Sequence, residues 1–281
     1  MGVNNSKPVW FITGCSTGFG REMASQLLNG GYRVVVTARK PSDLSAFEGR
    51  DNALILKLDV TDQAQIDTAV AAAEAHFGQI DVLLNNAGIG YFGSLEESDD
   101  AEVRRMFDIN VFGLGRMTAA VLPGMRRRKS GTIINISSLA GIKPFPGLSY
   151  YNATKFAVVG LSGALRDEVA PLGIRVICVE PSGFRTDWAG RSANESAHTI
   201  SDYAATAGAK CEQLRTFSGK QPGDPVRAVK AIIAAVESAN PPHHLPLGVA
   251  AFEAGVAQLE SVRQAFIEQE AVARGADFPK A

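Results

Sequence analysis

Thr13-Gly14-Cys15-Ser16-Thr17-Gly18-Phe19-Gly20 is the stretch that decides the fold, because it joins an apolar run to a helical segment through closely spaced glycines. Glycine has no Cβ, so the backbone can turn sharply and approach a phosphate group closely. The N–H groups at the start of the following helix face such an anion. The spacing G-x-x-x-G-x-G differs from the common G-x-G-x-x-G. The loop predicts a dinucleotide-binding site; the alternative is a glycine-rich turn with no ligand.

Outward from this loop, short apolar runs alternate with longer segments of helical period. Strands that alternate with helices form a parallel sheet covered by helices on both faces. The sequence therefore predicts one α/β domain over residues 1–281, with a doubly wound parallel sheet. The predicted strands are residues 9–13, 33–37, 53–58, 81–84, 132–137 and 174–180, and the predicted helices are about 21–28, 62–77, 99–125, 150–170, 224–238 and 249–274.

Two stretches depart from the alternation. Residues 184–222 lack clean periodicity and are rich in Ser, Ala, Thr and Gly. Because long irregular loops in compact domains usually carry function, we expect a substrate lid there, and a weakly helical surface excursion is the alternative. Residues 249–281 are expected to form a C-terminal helical extension, after a short strand end near Leu247.

A tyrosine and a lysine stand four residues apart in Tyr151-Asn152-Ala153-Thr154-Lys155. At this spacing both side chains lie on one face of a helix. A nearby ammonium favours the phenolate and lowers the pKa of the phenol, which makes tyrosine a usable general acid and base. The preceding strand ends in Ser137-Ser138, at the sheet edge where ligands bind. Alone, such a pair is weak evidence, since chance pairs on helix surfaces are common.

Two further features bring small or polar residues toward the same edge. Asn85-Asn86-Ala87-Gly88 follows the fourth strand, and its small residues would let the backbone pack close to a cofactor. The alternative is an ordinary Asn-Gly turn. Asn110 lies in an apolar helical segment, where a buried polar side chain needs hydrogen-bond partners.

In this order and spacing, the motifs resemble the short-chain dehydrogenase/reductase family, in its single-domain branch. The similarity runs from about Val9 to Gly248, and the motifs are jointly highly specific. The sequence looks most like members named for hydroxysteroid and retinol dehydrogenation. The resemblance implies a Rossmann-type fold and hydride transfer between a nicotinamide dinucleotide and a carbonyl or alcohol.

The resemblance also implies catalytic roles. Tyr151 is expected to be the acid/base, and Lys155 to lower the Tyr151 pKa and to hold the nicotinamide ribose. Ser138 is expected to hydrogen-bond the substrate oxygen, with Ser137 behind it. Asn110 is expected to disturb its helix and to hold a water beside Lys155 for proton relay.

For the cofactor, the resemblance implies contacts along the whole sheet edge. Asp59 and Val60 are expected at the adenine ring, and Thr186 at the carboxamide. Ser182 stands where the family has glycine, which leaves the local backbone open. The expected cofactor-binding residues are Gly14, Ser16, Thr17, Gly18, Phe19, Gly20, Arg39, Asp59, Val60, Asn86, Ala87, Gly88, Tyr151, Lys155, Pro181, Gly183 and Thr186.

The end of the second strand predicts NADP(H) in preference to NAD(H). Enzymes that choose NAD usually place a carboxylate there, on the free 2′-hydroxyl. This chain has Ala38 followed by Arg39 and Lys40. A guanidinium can meet a phosphate with two parallel hydrogen bonds and stack on adenine. The alternative is that Arg39 and Lys40 are a solvated pair at a helix entry.

Composition argues against other classes of partner. The formal net charge is -1 and the pI is near 6.4, so no nucleic acid is expected. Cys15, Cys178 and Cys211 are odd in number and lack metal-ligand spacing, and His243 and His244 are adjacent, so no metal site is expected. No apolar stretch approaches a membrane span, and residues 1–8 are polar. Together these features predict a cytoplasmic protein.

The substrate is expected to be a small hydrophobic carbonyl or alcohol. The candidate pocket residues are apolar or aromatic: Tyr91, Phe92, Ala140, Gly141, Ile142, Phe145, Phe184 and Trp188. From the family, a homodimer or homotetramer is expected. The competing functions are a catalytically silent dinucleotide sensor and a methyltransferase on a similar sheet. Neither would need Ser138, Tyr151 and Lys155 together.

Overall fold

The computed structural model is built around one parallel sheet. Over residues 7–190 and 192–278, which the structure describes, the strands are β1 (Val9–Ile12), β2 (Arg33–Ala38), β3 (Ala53–Lys57), β4 (Val82–Asn85), β5 (Gly90–Phe92), β6 (Gly131–Ile136), β7 (Ile174–Pro181), β8 (Ala193–Glu195) and β9 (His244–Leu247). The main sheet has the order β3-β2-β1-β4-β6-β7-β9, and every neighbouring pair is parallel. This confirms the predicted doubly wound Rossmann-type sheet.

Helices cover both faces of this sheet. They are α1 (Gly18–Asn29), α2 (Gln63–Phe77), α3 (Asp100–Phe107), α4 (Leu114–Arg128), α5 (Ser149–Val169), α6 (Ala209–Thr216), α7 (Pro225–Glu237), α8 (Val249–Glu268) and α9 (Glu270–Gly275). Successive residues of a strand lie on opposite faces of the sheet: Trp10 and Ile12 pack with α1 and α7, whereas Phe11 packs with α2 and α4. Since both faces are buried, the strands are apolar almost throughout.

The sequence pattern missed the small sheet and the extent of the last large-sheet strand. Residues 244–247 form a full edge strand, paired with β7 from Cys178↔His244 to Pro181↔Leu247. His244 and Pro246 hide it, and a proline is tolerated there because the strand is at an edge. The small parallel sheet of β5 and β8 consists of three-residue strands, which are too short to show alternation.

The predicted helix over residues 99–125 is wrong in one respect, because it is not continuous. A π-helical turn, Asp108–Gly113, separates α3 from α4, which then runs on to Arg128. Asn110 lies inside that turn and is buried. Its apolar neighbours keep the helical period through the turn, so the pattern gave no sign of the interruption.

Residues 184–222 are more structured than their composition indicated. They contain β8, α6, short 3₁₀ turns and a π-helical turn at Ala204–Gly208. Phe184, Ala189, Ala207 and Cys211 are buried, so the segment packs on the rest of the protein. Its first part nevertheless reaches the loop after β1, because a Cβ on Gly18 would lie 3.6 Å from Thr186, and β1 and β4 flank the point where the strand order reverses. Ligands bind at such points in doubly wound folds.

Within the described ranges, no helix is both long enough and apolar enough to cross a membrane. Among the same residues, no group of three or more His, Cys, Asp or Glu side chains is placed to hold a metal ion.

Gly20 is the glycine of the first loop that tolerates a side chain least. A Cβ there would lie 2.3 Å from the Gly14 carbonyl oxygen and 2.5 Å from Asn86 Nδ2. We expect Gly20→Ala to lower the free energy of unfolding by about 1–3 kcal/mol, as overpacking does. Gly160→Ala is the matched control, because that helical position has open space. Urea denaturation should show a loss only for Gly20→Ala; equal stability of the two variants would contradict the assigned packing.

Candidate active site

A cleft of about 990 Å³ lies along the carboxyl ends of the strands. It is lined by all but two of the residues that the sequence nominated for catalysis or cofactor binding. Gly20 and Asn110 lie behind the cleft wall. The nominated residues that line it are Gly14, Ser16, Thr17, Gly18, Phe19, Arg39, Asp59, Val60, Asn86, Ala87, Gly88, Ser138, Tyr151, Lys155, Pro181, Gly183 and Thr186.

The glycine loop is fixed to the end of β4 by side-chain hydrogen bonds. Asn86 Nδ2 donates to the carbonyl oxygens of Thr13, at 3.0 Å, and Gly14, at 2.8 Å. Thr13 Oγ1 accepts from the backbone N–H groups of Asn86 and Ala87, both at 3.0 Å. Gly14 has φ +72° and passes so close to Ala87 that a Cβ would lie 3.0 Å from its Cα. The backbone therefore forms a cradle open to the cleft, in front of α1.

Cys15 lies in the same loop but points away from the cleft. Its side chain is fully buried and its Sγ donates to the Ile12 carbonyl oxygen at 3.4 Å. Burial raises the pKa of this thiol to about 12. Cys15 is therefore a neutral packing residue, despite its place near the start of α1.

Ser138, Tyr151 and Lys155 meet at the centre of the cleft. The Tyr151 hydroxyl lies near the Ser138 side chain, which acts to lower the pKa of the phenol. Lys155 Nζ donates to the Ile136 carbonyl oxygen at 2.9 Å and lies 5.6 Å from the Tyr151 ring centroid. Ser137 Oγ donates to the Lys155 carbonyl oxygen at 3.0 Å, which ties α5 to the end of β6. A phenol, a hydroxyl and an ammonium on one rigid frame can donate, accept and move a proton.

Burial dominates the electrostatics of this group. Tyr151 is 6% exposed and Lys155 is 7% exposed. Burial raises the pKa of Tyr151 well above its usual range, and the Ser138 side chain acts in the opposite direction. Burial lowers the pKa of Lys155 to about 8. At pH 7 Lys155 is therefore still mostly cationic, and it loses its charge as the pH rises through about 8.

Asn110 acts from behind the cleft wall. Its Oδ1 accepts from the Ile89 N–H and its Nδ2 donates to the Ile89 carbonyl oxygen, both at 2.9 Å. Nδ2 also reaches Thr154 Oγ1 at 3.3 Å, next to Lys155 in the chain. The polar side chain thus has the partners that its burial requires. The expected water beside Lys155 stays a prediction.

At the far end of the cleft, Arg39 is exposed and lines the wall, whereas Lys40 does not line it. Ala38 is buried at the end of β2. The Asp59 carboxylate accepts from the Thr61 N–H at 3.0 Å and from its hydroxyl at 2.8 Å. This end therefore offers an exposed cation beside a carboxylate that is already hydrogen-bonded.

The opposite end of the cleft is largely apolar. Of the eight candidate pocket residues, Ala140, Phe145, Phe184 and Trp188 line it. Tyr91, Phe92, Gly141 and Ile142 do not; the Phe92 ring, for instance, packs behind Trp188, with centroids 5.6 Å apart. The sequence pattern did not point to ten further residues that line the cleft, because they lie in the aperiodic segment or on α8. They are Ala189, Ser192, Asn194, Lys210, Leu214, Phe217, Gln221, Pro222, Ala250 and Ala254.

Gln221 is the most distinctive of the missed residues. Its side chain is buried, lines the cleft and packs beside Gly183, where a Cβ would lie 3.3 Å from its Cγ. Among the described residues, its Oε1 has no hydrogen-bond partner. A buried amide oxygen without a partner is costly, so it favours a donor from a bound molecule. Nothing in the sequence pattern singled it out.

Ser182 replaces the family's glycine without disturbing the strand end. Its N–H donates to the Leu247 carbonyl oxygen at 3.0 Å. Its hydroxyl fills the space where Gly248, with φ +90°, has no side chain; a Cβ there would lie 2.4 Å from Ser182 Oγ. The departure is therefore accommodated by a glycine in the following turn.

Arg215 ties the segment above the cleft together. It donates to the carbonyl oxygens of Ala189, Gly190 and Ala193 at 2.8 to 3.0 Å and pairs with the Glu195 carboxylate at 3.1 Å. Its guanidinium also lies 4.5 Å from the Phe92 ring centroid. One side chain on α6 thus holds Ala189, Gly190, Ala193 and Glu195 together at the cleft.

The comparisons with known proteins agree with this fold. Residues 8–197 match the family model for short chain dehydrogenases. The curated oxidoreductase BOA17 of Botryotinia fuckeliana is 40% identical over 249 residues, which is 87% of this chain and 90% of that protein. A short-chain dehydrogenase from Streptomyces avermitilis has a crystal structure with a TM-score of 0.90 and 43% identity, covering 97% of this chain and all of that one.

A more distant solved structure, described as ElxO with NADP bound, has 27% identity and a TM-score of 0.71, with coverage of 88% of this chain and 99% of that one. The family match and the close relatives settle the class. This chain belongs to the short-chain dehydrogenase family and is an oxidoreductase of that family.

Removal of Arg215 tests how the segment above the cleft is held. We expect Arg215→Met to accelerate amide hydrogen exchange of residues 189–190 and 193–195 at least about tenfold, because charge-assisted hydrogen bonds of about 1.5–3 kcal/mol are lost. Arg166→Met is the control, since Arg166 pairs with its exposed neighbour Asp167, and such pairs contribute little. Unchanged exchange in Arg215→Met would show that other contacts hold the turn.

Proposed function

We propose that this protein is an NADP(H)-dependent oxidoreductase that interconverts a hydrophobic ketone or aldehyde and its alcohol, with Tyr151 as the acid/base. The observation that carries the proposal is the meeting of Ser138, Tyr151 and Lys155 in the middle of the cleft. The glycine loop and the start of α1 lie at one side of this group, and apolar side chains lie at the other. A dinucleotide and a hydrophobic substrate can therefore meet at Tyr151.

The residues present fit a nicotinamide dinucleotide. Gly14 has φ +72° and a Cβ there would lie 3.0 Å from the Ala87 Cα, so only glycine lets the two loops pack this closely and present bare backbone to a pyrophosphate. The unpartnered Oε1 of Gln221 offers an acceptor for an N–H or O–H group of the ligand pair. When bound, the nicotinamide supplies or accepts the hydride.

The protein's part in the reaction is to hold the substrate oxygen and move one proton. Ser138 Oγ donates a hydrogen bond to that oxygen and keeps it beside Tyr151. In reduction, the Tyr151 hydroxyl gives its proton to the oxygen as negative charge develops; in oxidation, the phenolate takes it back. Lys155, cationic at pH 7, stabilises the phenolate and binds the ribose hydroxyls. Asn110 fixes the Ile89 backbone before β5 and, through a water beside Lys155, completes the proton path.

The raised pKa of Tyr151 requires this cation. In the protein alone, burial opposes formation of the phenolate, and the Ser138 side chain offsets only part of that effect. A nearby ammonium favours the charged phenol, and its influence is strong where water is excluded. Lys155 is therefore expected to matter for turnover as well as for cofactor binding.

The remaining features belong to the same proposal. Residues 184–222 act as a lid that orders further over the bound pair, with the Arg215 contacts holding its inner turn. The protein acts in the cytoplasm as a homodimer or homotetramer. A catalytically silent dinucleotide sensor is the competing function; such a protein would bind the dinucleotide but would not oxidise NADPH with any member of a carbonyl panel.

Tyr151→Phe is the direct test of the acid/base. The ring's packing is kept while the proton donor is lost, so we expect near-normal NADPH affinity and a fall in kcat of at least ~10²-fold. Lys155→Met should in addition weaken NADPH binding, measured by fluorescence titration. Near-normal turnover of purified Tyr151→Phe with a substrate of the parent enzyme would overturn the assignment.

The cofactor preference rests on Arg39. It lines the cleft at the end of β2, where Ala38 leaves no carboxylate to repel a 2′-phosphate. A charge-assisted hydrogen bond of ~1.5–3 kcal/mol corresponds to a roughly ten- to hundredfold preference for NADPH.

We expect the double variant Ala38→Asp with Arg39→Ile to move the kcat/KM ratio toward NADH by a similar factor. The control is Lys40→Ile, which removes a neighbouring positive charge that does not line the cleft, and it should change the ratio much less. A parent enzyme with equal or higher kcat/KM for NADH would refute this interpretation of the strand end.

A further inference from the structure

The C-terminal helix α8 has two different apolar faces. One face consists of small residues, and it packs on the body of the protein: Ala251 and Gly255 are buried, and Gly255 faces Ile142. The other face consists of large side chains that are exposed. It follows a three-and-four spacing and contains Val249, Phe252, Val256, Leu259 and Phe266, with Arg263 in the same row. We call this row the α8 stripe.

The exposure of the stripe is unusual for this molecule. Phe252 is 62% exposed, Leu259 59% and Phe266 77%. Of the fifteen large apolar side chains exposed among the described residues, nine lie between Val249 and Phe278. Single exposed apolar residues need no explanation, but a contiguous row of them marks an interaction surface.

The second half of the helix makes no packing contact that buries it. Every side chain from Leu259 to Phe278 is exposed. A helix of this length without tertiary contacts is marginal in water, because helices in proteins are stabilised mainly by packing of an apolar face. The projecting half therefore needs a surface to lie on.

We propose that the α8 stripe pairs antiparallel with the α8 stripe of a second copy of this chain. Apolar residues at a three-and-four spacing are the pattern by which two helices pack along a seam. In an antiparallel pair centred between Val256 and Leu259, each Val256 faces the other copy's Leu259, and each Val249 faces the other copy's Phe266. The projecting half of each helix then lies along the docked half of the other.

The one charge in the row is compatible with this register. The register places Arg263 over Phe252 of the other copy, and a guanidinium and an aromatic face attract each other in this arrangement. In one chain Arg263 pairs with Glu260 at 2.8 Å, and both groups are well exposed, so the guanidinium is free to turn toward a neighbour. The row is thus complementary to itself, as a two-fold interface requires.

The charges of the helix argue against a membrane as the occupant. From Val249 to Gly275 there are four glutamates and two arginines, and no lysine. Helices that lie on membrane surfaces usually carry lysine or arginine on the polar face, to meet anionic lipid. The acidic helix therefore fits a protein surface better than an anionic membrane.

Pairing at α8 would also touch the cleft. Ala250 and Ala254, on the first turns of the helix, line its apolar end. A second copy that clamps the helix therefore fixes one wall of the substrate region. This consequence depends on the proposed function, but the pairing itself does not.

The first experiment measures the mass of the full chain by light scattering after size exclusion. Val256→Glu with Leu259→Glu should halve the mass, because pairing would then require the burial of four glutamates at each seam and is therefore prevented. Ala257→Glu with Ser261→Glu is the matched control, with the same added charge on the polar face, and it should keep the parent mass. A monomeric parent, or a stripe variant that keeps the parent mass, would overturn the proposal. The parent and the stripe variant are also tested for binding to zwitterionic vesicles. A stripe variant that keeps the parent mass but loses vesicle binding would assign the stripe to a membrane.

The second experiment tests the register and does not depend on variants that weaken association. The chain's own cysteines are buried, so a disulfide introduced on α8 forms without competition from them. Val249→Cys with Phe266→Cys should give a disulfide-linked dimer on mild oxidation. Val249→Cys with Phe252→Cys, whose thiols this register places at least about three helical turns apart between the two copies, should not. Equal crosslinking of the two pairs, or none in either, would refute the antiparallel seam.

Discussion

The hydrogen bonds between Asn86 and the first loop are the constraint on which the cleft depends. The Asn86 amide holds the Thr13 and Gly14 carbonyl groups, and Thr13 in return receives the N–H groups that follow β4. β1 and β4 are neighbours at the point where the strand order reverses. Because these hydrogen bonds join the loops that follow β1 and β4, the two loops together form one wall of the cleft, and their backbone is exposed along it. The absence of side chains at Gly14 and Gly20 is what permits so close an approach.

A second set of contacts positions the reacting groups against that wall. Lys155 is held from both ends, by the Ile136 carbonyl oxygen at its ammonium and by Ser137 at its backbone. Because Tyr151 is one turn earlier on α5, its hydroxyl is fixed relative to β6 and Ser138. Asn110 extends the same frame to α3 and α4 through Ile89 and Thr154. The cleft is therefore preorganised by backbone contacts, and few of its polar side chains need to move.

Sequence patterns predicted the parts of this structure that are repeated or locally dictated. The glycine loop, the apolar strands and the Tyr151–Lys155 spacing each follow from local rules, and all fall at one sheet edge because parallel strands end together. The π turn was hidden because its apolar period continues from Met106 to Met117, although these residues pack in different cores. The wall contributed by Leu214, Phe217 and Gln221 was hidden because tertiary contacts such as those of Arg215 give that segment its shape, and no local period does.

The burial of Cys15 has a consequence for the chemical robustness of the cleft. Oxidation and alkylation of cysteine require an accessible thiolate. With its side chain enclosed and its pKa raised to about 12, Cys15 offers neither, although it stands between two residues that line the cleft. Cys178 and Cys211 are likewise buried with raised pKa values. The loop can therefore work under oxidants and thiol reagents that would disable a binding loop built around an exposed cysteine.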